Sequence, residues 1–164
     1  MLSAFAFVRH MSFARALALF PLAVVLHILE EWPGFPRWAR QFVSPQYSDR
    51  EYIVTHAFAV VLAIGAVALV CAFPTPSILF GFFAIVFGPG VFCNAWFHAG
   101  ATVLSGTYCA GVVTGIMVYL PLSVLLVLLG LHEGLFTVRF LLTALALAVT
   151  VHTWEVGHNV FKRW

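Results

Sequence analysis

Hydrophobic residues occupy five long stretches of the chain, separated by short segments rich in polar residues, proline and glycine. The stretches cover about residues 13–32, 53–73, 77–98, 109–130 and 138–158. Each is close to the roughly 20 apolar residues that a helix needs to cross a bilayer. The run from Phe58 to Ile64 lacks the alternation of apolar and polar positions found in membrane barrel strands. The pattern predicts an all-α, up-and-down bundle of five transmembrane helices, forming a single domain over residues 1–164.

Composition agrees with a membrane protein and excludes a soluble one. Hydrophobic residues make up 63% of the chain and charged residues 9%, whereas soluble domains carry roughly 25% charged residues. From Tyr52 to His132 the chain contains no Asp, Glu, Lys or Arg. The net charge of +2 comes from scattered basic residues, without the continuous cationic stripe that binds nucleic acid. We therefore expect the lipid bilayer, and no nucleic acid, as a partner.

Three local features predict how the spans are shaped and joined. The first connection, residues 33–51, holds most of the soluble-looking residues and is expected to lie along the lipid headgroups. Gly88-Pro89-Gly90 predicts a kink in the third span, because proline removes a backbone donor and clashes with the preceding turn. Gly111 and Gly115 have the G-x-x-x-G spacing that allows helix backbones to approach each other.

The distribution of basic residues predicts the orientation in the membrane. With five spans the two termini lie on opposite sides. One side carries Arg9, Arg15 and Arg139, and the other carries Arg37, Arg40, Arg50, Lys162 and Arg163. Because Lys and Arg concentrate in cytoplasmic segments, the bias of five against three places the C-terminus in the cytoplasm. The predicted location is a bacterial inner membrane.

Polar residues within the apolar stretches are concentrated at one end of each span. Such residues are costly in lipid and usually face the bundle interior at functional sites. In an up-and-down bundle these ends lie in one leaflet, on the cytoplasmic side, while the opposite halves are almost purely aliphatic and aromatic. We therefore predict one shared site. Its candidates are His27, Glu30, Glu31, His56, Asn94, His98, Tyr108, His152, Glu155 and His158.

Spacing within three of the spans places these residues on common helix faces, because residues three or four apart share a face. This spacing joins His27 to Glu30 and Glu31, Asn94 to His98, and Glu155 to both His152 and His158. Imidazole and carboxylate ligands suit iron or zinc. We predict a divalent metal, iron or zinc, held by ligands from the set His27, Glu30, Glu31, His56, Asn94, His98, His152, Glu155 and His158.

The number of candidate ligands favours a dinuclear iron centre. Five histidines and three glutamates exceed the four ligands of a closed zinc site and approach the set used by dinuclear centres in helix bundles. Such an oxidoreductase would act on a lipid-like substrate that arrives laterally from the bilayer, with Glu30 and Tyr108 as catalytic residues. The alternative chemistry is a zinc-dependent hydrolase, in which the metal activates water and a free glutamate is the base.

Two functions of other classes stay open at this point. A transporter or channel for a metal ion or a proton would require polar residues that continue through the membrane as a relay. A structural or accessory subunit would use the same cluster only to hold its helices together. Elemental analysis of the purified protein, giving the metal and its number per chain, would narrow these alternatives most.

Three segments resemble the HXXEE family of small bacterial membrane proteins. His27-Ile28-Leu29-Glu30-Glu31 resembles the motif that names the family, and Asn94 to His98 resembles its Asn-x-x-x-His segment. Tyr108 to Thr114, followed by Leu120-Pro121, resembles its Tyr-x-x-Gly stretch before a Leu-Pro, although Ala110 stands where a proline is expected. The resemblance covers about residues 20–125. It implies that His27, Glu30, Glu31, Asn94 and His98 belong together, and it implies no substrate, because the family is functionally uncharacterised.

Overall fold

The computed structural model describes the backbone of residues 11–161 and the side chains of residues 11–158. Within this part of the chain the structure is helical, with six helices and no strands. Their bounds are Phe13–Glu31 (α1, with a turn at residues 18–19), Gly34–Phe42 (α2), Asp49–Ala72 (α3), Pro76–Ser105 (α4), Val112–His132 (α5) and Val138–Phe161 (α6). All of them except α2 are long and apolar enough to cross a membrane. The prediction of an all-α protein with five candidate spans is confirmed.

Two helix ends differ from the sequence-based boundaries. Helix α3 begins at Asp49, before the expected residue 53, because Ser48 and Glu51 cap its first turn reciprocally. Helix α4 continues to Ser105, beyond the expected residue 98, and ends at Gly106 in a left-handed conformation (φ 64°) that glycine adopts without steric cost. His98 therefore lies in the middle of a regular helical segment and not at the end of a span.

The third span accommodates its proline through a local change of helix type. Residues Phe82–Cys93 of α4, which include Pro89, form a π-helical stretch between two α-helical segments. A π-turn contains more residues than an α-turn, so it rotates the faces of the segment that follows. That segment begins at Asn94 and carries His98. The π-helical stretch therefore sets the direction in which these two residues point.

Aromatic packing fills the half of the bundle away from the polar cluster. Phe13, Phe83 and Phe136 meet there, with the rings of Phe83 and Phe136 centred 5.0 Å apart and nearly perpendicular. Phe20, Phe82 and Phe87 form a second group of contacting rings. Buried aromatic side chains of this kind contribute strongly to packing. The bundle is thus held together largely outside the polar site.

Close approach of two helices occurs at the level of the polar residues. A Cβ added to Gly115 of α5 would lie 3.3 Å from Cα of Ala95 in α4. Glycine at this position therefore brings the start of α5 against the segment that carries Asn94 and His98. Gly111, the other glycine of the G-x-x-x-G pair, has a left-handed conformation (φ 106°) at the beginning of α5.

Candidate metal centre

Glu31 lies at the centre of a buried cluster contributed by three helices. Its Oε1 is 3.0 Å from Nε2 of His98 on α4 and 3.5 Å from Nε2 of His27 on α1. Its Oε2 is 2.9 Å from Nε2 of His56 on α3 and accepts a 3.0 Å hydrogen bond from the hydroxyl of Tyr52. Glu31 and His98 are 1% exposed and His27 is 2% exposed. A carboxylate thus meets three imidazoles, and Glu31, His27 and His98 are buried while His56 is partly exposed.

The protonation of His27 follows from the contacts of Thr114. The Thr114 hydroxyl has a single proton, and its acceptors are a carboxylate oxygen of Glu30 and the carbonyl of Gly111. Its oxygen therefore accepts a hydrogen bond from Nδ1 of His27, at 2.8 Å. With the proton on Nδ1, a neutral His27 directs the lone pair of Nε2 toward Glu31. This buried Nε2 makes no hydrogen bond within the described residues.

His56 is oriented in the same way by a backbone group. Its Nδ1 lies 2.7 Å from the carbonyl oxygen of Tyr52, one turn earlier in α3. A carbonyl oxygen can only accept, so Nδ1 of His56 carries the proton and donates it. In the neutral ring the lone pair on Nε2 then points at Oε2 of Glu31. A histidine that binds a metal characteristically donates its other N–H to such a carbonyl or hydroxyl partner.

His98 differs because its outer partner is a thiol. Its Nδ1 lies 3.4 Å from Sγ of Cys109, which is buried. Burial raises the pKa of Cys109 to about 12, so the thiol remains protonated. A protonated thiol can donate to the imidazole or accept from it. His98 can therefore present either a proton or a lone pair to Glu31 while keeping its contact with Cys109.

The cluster as described requires a cation. The nitrogen lone pairs of His27 and His56 face a carboxylate, and all three groups are electron-rich. Bringing them together in a medium of low dielectric is unfavourable unless a positive charge lies among them. Either protons or a metal ion can supply that charge. A proton on Nε2 of His27 would form no hydrogen bond with Glu31, because the 3.5 Å contact between them does not have hydrogen-bond geometry.

His27, Glu31 and His98 form a group that could hold a metal ion. One ligand atom from each lies within 4.8 Å of the others. Bonds of about 2.0–2.1 Å, as zinc makes to nitrogen and oxygen, separate neighbouring ligand atoms by roughly 2.8–3.4 Å in octahedral or tetrahedral geometry. The 3.0 Å distance from Glu31 to His98 lies within that range, and the 3.5 Å distance from Glu31 to His27 lies just above it. The donors and their spacing thus fit a divalent ion.

Glu30 points away from this group and binds the first turn of α5. Its carboxylate accepts hydrogen bonds from the amides of Gly111, Val113 and Thr114 at 3.0, 3.0 and 2.6 Å, and from the Thr114 hydroxyl. The hydroxyl of Tyr108 donates a further bond of 2.5 Å. Because the hydrogen bond to Glu30 favours the protonated phenol, the pKa of Tyr108 rises to about 12. This carboxylate completes a helix N-terminus that no residue of α5 itself caps.

Gly111 leaves room for the two histidines. A Cβ added to it would lie 2.6 Å from Cε1 of His98 and 2.9 Å from Cε1 of His27. Atoms at such distances overlap, and the positive φ of 106° is itself unfavourable for other residues. The start of α5 can therefore pack against both rings only if residue 111 is glycine.

A cavity of about 500 Å³ adjoins the cluster, between α1, α3, α4 and α6. Its wall includes His27, Glu31, His56 and His98. The predicted ligands Asn94 and His152 also line it. Oδ1 of Asn94 and Nε2 of His152 are buried without a hydrogen-bond partner among the described residues. The remaining wall is mostly aliphatic and aromatic.

The other predicted site residues lie outside the three-residue group. Glu155 is exposed at the edge of the cavity. His158 is exposed and stacks on the Trp154 ring, with centroids 5.3 Å apart. The structure therefore brings His27, His56, His98 and Glu31 together and does not add Glu155 or His158 to them. The catalytic roles expected for Glu30 and Tyr108 stay predictions, although both oxygens of Glu30 already accept hydrogen bonds.

Several residues that orient the cluster were not expected from the sequence. Tyr52 and Thr114 hold Glu31 and His27, Cys109 contacts His98, and the ring of Tyr119 stacks on that of His27 at 4.4 Å. Hydroxyl, thiol and aromatic residues are common in apolar helices, so composition alone does not mark them. Cys109 and Thr114 share with Gly111 the signal of the Tyr-x-x-Gly segment, and Gly111 has its G-x-x-x-G spacing as well.

Comparison with known families connects this geometry to a motif. A family model described as a protein of unknown function with HXXEE motif matches residues 18–126, more than half of the chain. The chain belongs to the HXXEE family. No curated protein and no solved structure matches it.

The motif of the HXXEE family has a distinct structural meaning in this chain. Its histidine and second glutamate correspond to His27 and Glu31, which lie one helical turn apart and face the same buried site. Its first glutamate corresponds to Glu30, which caps α5. Two of the three motif residues, His27 and Glu30, are connected outside α1 by Thr114, which contacts both.

Proposed function

We propose that this HXXEE protein is a metal-dependent membrane enzyme, with the metal held by His27, Glu31 and His98 and with a hydrophobic substrate. The observation that carries the proposal is the convergence of Nε2 of His27, His56 and His98 on the buried carboxylate of Glu31, where a metal ion can supply the positive charge. His56, bound to the other oxygen of Glu31, is either a fourth ligand or a partner that orients the carboxylate.

A single ion fits the described ligands better than the dinuclear centre that the ligand count favours. Among the residues that the structure describes, one group of three ligand atoms lies within 4.8 Å, and Glu30 is engaged by α5. Two histidines and one carboxylate are typical of non-haem iron(II) oxygenases, which keep open coordination positions for the reactants. The ion would supply redox chemistry, and the chain would orient the ligands and exclude water.

A zinc-dependent hydrolase is the second candidate, because two histidines and a glutamate also hold catalytic zinc. That chemistry requires a general base beside the metal-bound water. Glu30 accepts hydrogen bonds from five donors, so it is poorly placed for this role. Glu155, on the wall of the cavity, is the better candidate. The identity of the bound metal separates the two chemistries.

Access from the bilayer supports a hydrophobic substrate. The cavity beside the cluster is lined by Phe58 and Leu62 of α3 and by Ile85 of α4. These side chains are also exposed on the outside of the bundle, Phe58 by 64% and Ile85 by 60%. In a membrane-spanning bundle this surface faces lipid. A molecule dissolved in the bilayer can therefore enter the cavity sideways, between α3 and α4.

Metal content and one isosteric substitution test the proposal. The protein, purified in detergent without chelators, should contain a single iron or zinc ion per chain by elemental analysis. Glu31→Gln should lose the metal and still unfold cooperatively, because the aromatic half of the bundle supplies much of the packing. Glu133→Gln, at the far end of α5, is the matched control and should retain the metal. Unchanged metal in Glu31→Gln, or no metal in either protein after addition of iron(II) and zinc(II), would refute the proposal.

A further inference from the structure

Two buried polar atoms on the cavity wall have no hydrogen-bond partner among the described residues. They are Oδ1 of Asn94 on α4 and Nε2 of His152 on α6. Buried polar atoms in folded proteins are nearly always hydrogen-bonded. Neither residue belongs to the group His27, Glu31 and His98, whose ligand atoms lie close together. Their partner is therefore to be sought among molecules that enter the cavity.

The two residues face one region of the cavity. Asn94 and Phe97 are three residues apart on α4 and share a helix face. The ring of Phe97 contacts that of His152, with centroids 6.1 Å apart. Both Asn94 and His152 line the same cavity, as do the metal-binding candidates His27 and His98. A polar group that binds where α4 and α6 meet would therefore lie near both residues and beside the cluster.

We infer that the cavity binds a long-chain alcohol, with its hydroxyl group between Asn94 and His152 and its hydrocarbon chain extending toward α3 and the lipid. This inference rests on the proposed function and names the substrate class of that site. A hydroxyl donates one hydrogen bond and accepts others. It can donate to Oδ1 of Asn94 and accept from Nε2 of His152 when that nitrogen carries the proton.

Other polar ends fit this region less well. A fatty-acid carboxylate has no proton to donate to Oδ1 of Asn94, so that atom would stay without a partner. A hydrocarbon without a polar end would leave both buried atoms without partners. An alkylammonium can only donate, so it fits only when Nε2 of His152 is unprotonated, and competition with hexadecylamine tests that case. The mostly apolar wall and the lateral opening suit a single alkyl or isoprenoid chain.

Chain-matched ligands test the inference in the intact protein. Tritiated hexadecanol is bound to the purified protein in nanodiscs and displaced with unlabelled hexadecanol, hexadecanoate, hexadecylamine or hexadecane. Hexadecanol should compete best. Asn94→Leu and His152→Leu should each weaken its binding about tenfold, the effect of losing one or more hydrogen bonds. Thr150→Val, which alters an exposed polar residue on α6, is the control and should bind as the wild type does.

Metal content, measured on the same samples, separates this inference from the proposed function. Hexadecanol binding that survives removal of metal by a chelator, or that occurs in a protein without metal, supports the alcohol site even if the enzyme proposal fails. A protein that holds metal but binds hexadecane or hexadecanoate as tightly as hexadecanol overturns the inference alone. Loss of metal in Asn94→Leu or His152→Leu would also overturn it, because these residues would then be ligands.

Discussion

Nδ1 of His27 lies 2.8 Å from the hydroxyl oxygen of Thr114, and this contact joins the first span to the fourth. The same hydroxyl donates to Glu30, three residues after His27. Thr114 thereby determines which nitrogen of His27 is protonated and anchors the start of α5 to α1. The orientation of a candidate metal ligand is thus coupled to the packing of two helices.

Removal of the Thr114 hydroxyl should weaken metal binding without removing a ligand. In Thr114→Val the ring of His27 loses the acceptor that fixes its tautomer, and changes of this kind typically reduce metal affinity about 10–100-fold. Competition with a metal indicator measures the affinity. Thr143→Val, whose hydroxyl contacts only its own helix in α6, is the control. Equal affinities for the two variants would show that Thr114 does not orient a metal ligand.

Glu30→Gln and Glu31→Gln should affect different properties of the protein, stability in the first case and metal binding in the second. Glu30→Gln places an amide among donors that need an acceptor, and the lost hydrogen bonds should lower the free energy of unfolding by about 1–3 kcal/mol. The metal ligands are unchanged in this variant, so most of the bound metal should remain. Glu31→Gln should show the opposite pattern, with metal lost and stability largely kept. Thermal unfolding in detergent and elemental analysis measure the two effects, and identical behaviour of both variants would contradict this division of roles.

A methyl group at residue 111 should damage both the fold and the site. In Gly111→Ala the new Cβ would overlap with His98 and His27, and overpacking of this kind typically costs about 1–3 kcal/mol. Gly106→Ala is a matched control, since Gly106 also has positive φ (64°) but has no atom near its Cβ position. Both variants place alanine at a positive φ, but the strain is greater at 106° than at 64°, so the loss of metal in Gly111→Ala, and not the difference in stability, reports the clash. Similar losses in the two variants would contradict the assigned role of Gly111.

Orientation in the membrane can be tested with fusions at the two ends. A reporter enzyme fused after Trp164 should be in the cytoplasm, and one fused before α1 should be outside. The reason is that five of the eight basic residues are predicted on the same side as Trp164. Of these eight, Arg9, Lys162 and Arg163 lie outside the residues whose structure is described. A cytoplasmic signal from both ends would require an even number of spans.

The number of candidate spans was determined by the sequence alone. Five apolar stretches of helical length allow only one secondary structure in lipid, because an isolated segment satisfies its backbone hydrogen bonds there only as a helix. The sequence also placed His27, Glu31 and His56 near one end of their spans, whereas α4 continues beyond His98 to Ser105. The structure joins the four side chains through the contacts of Glu31.

Only the tertiary structure decided which of these residues face each other. Glu30 and Glu31 point about 100° apart on α1, and the rotation of α1 assigns Glu31 to the histidines and Glu30 to α5. Glu155 and His158 shared a predicted leaflet with them but lie on exposed positions of α6. A span that is apolar on every side carries no periodic signal for its inward face. That face is set by close packing, as at Gly111 and Gly115, and by the π-helical stretch before Asn94.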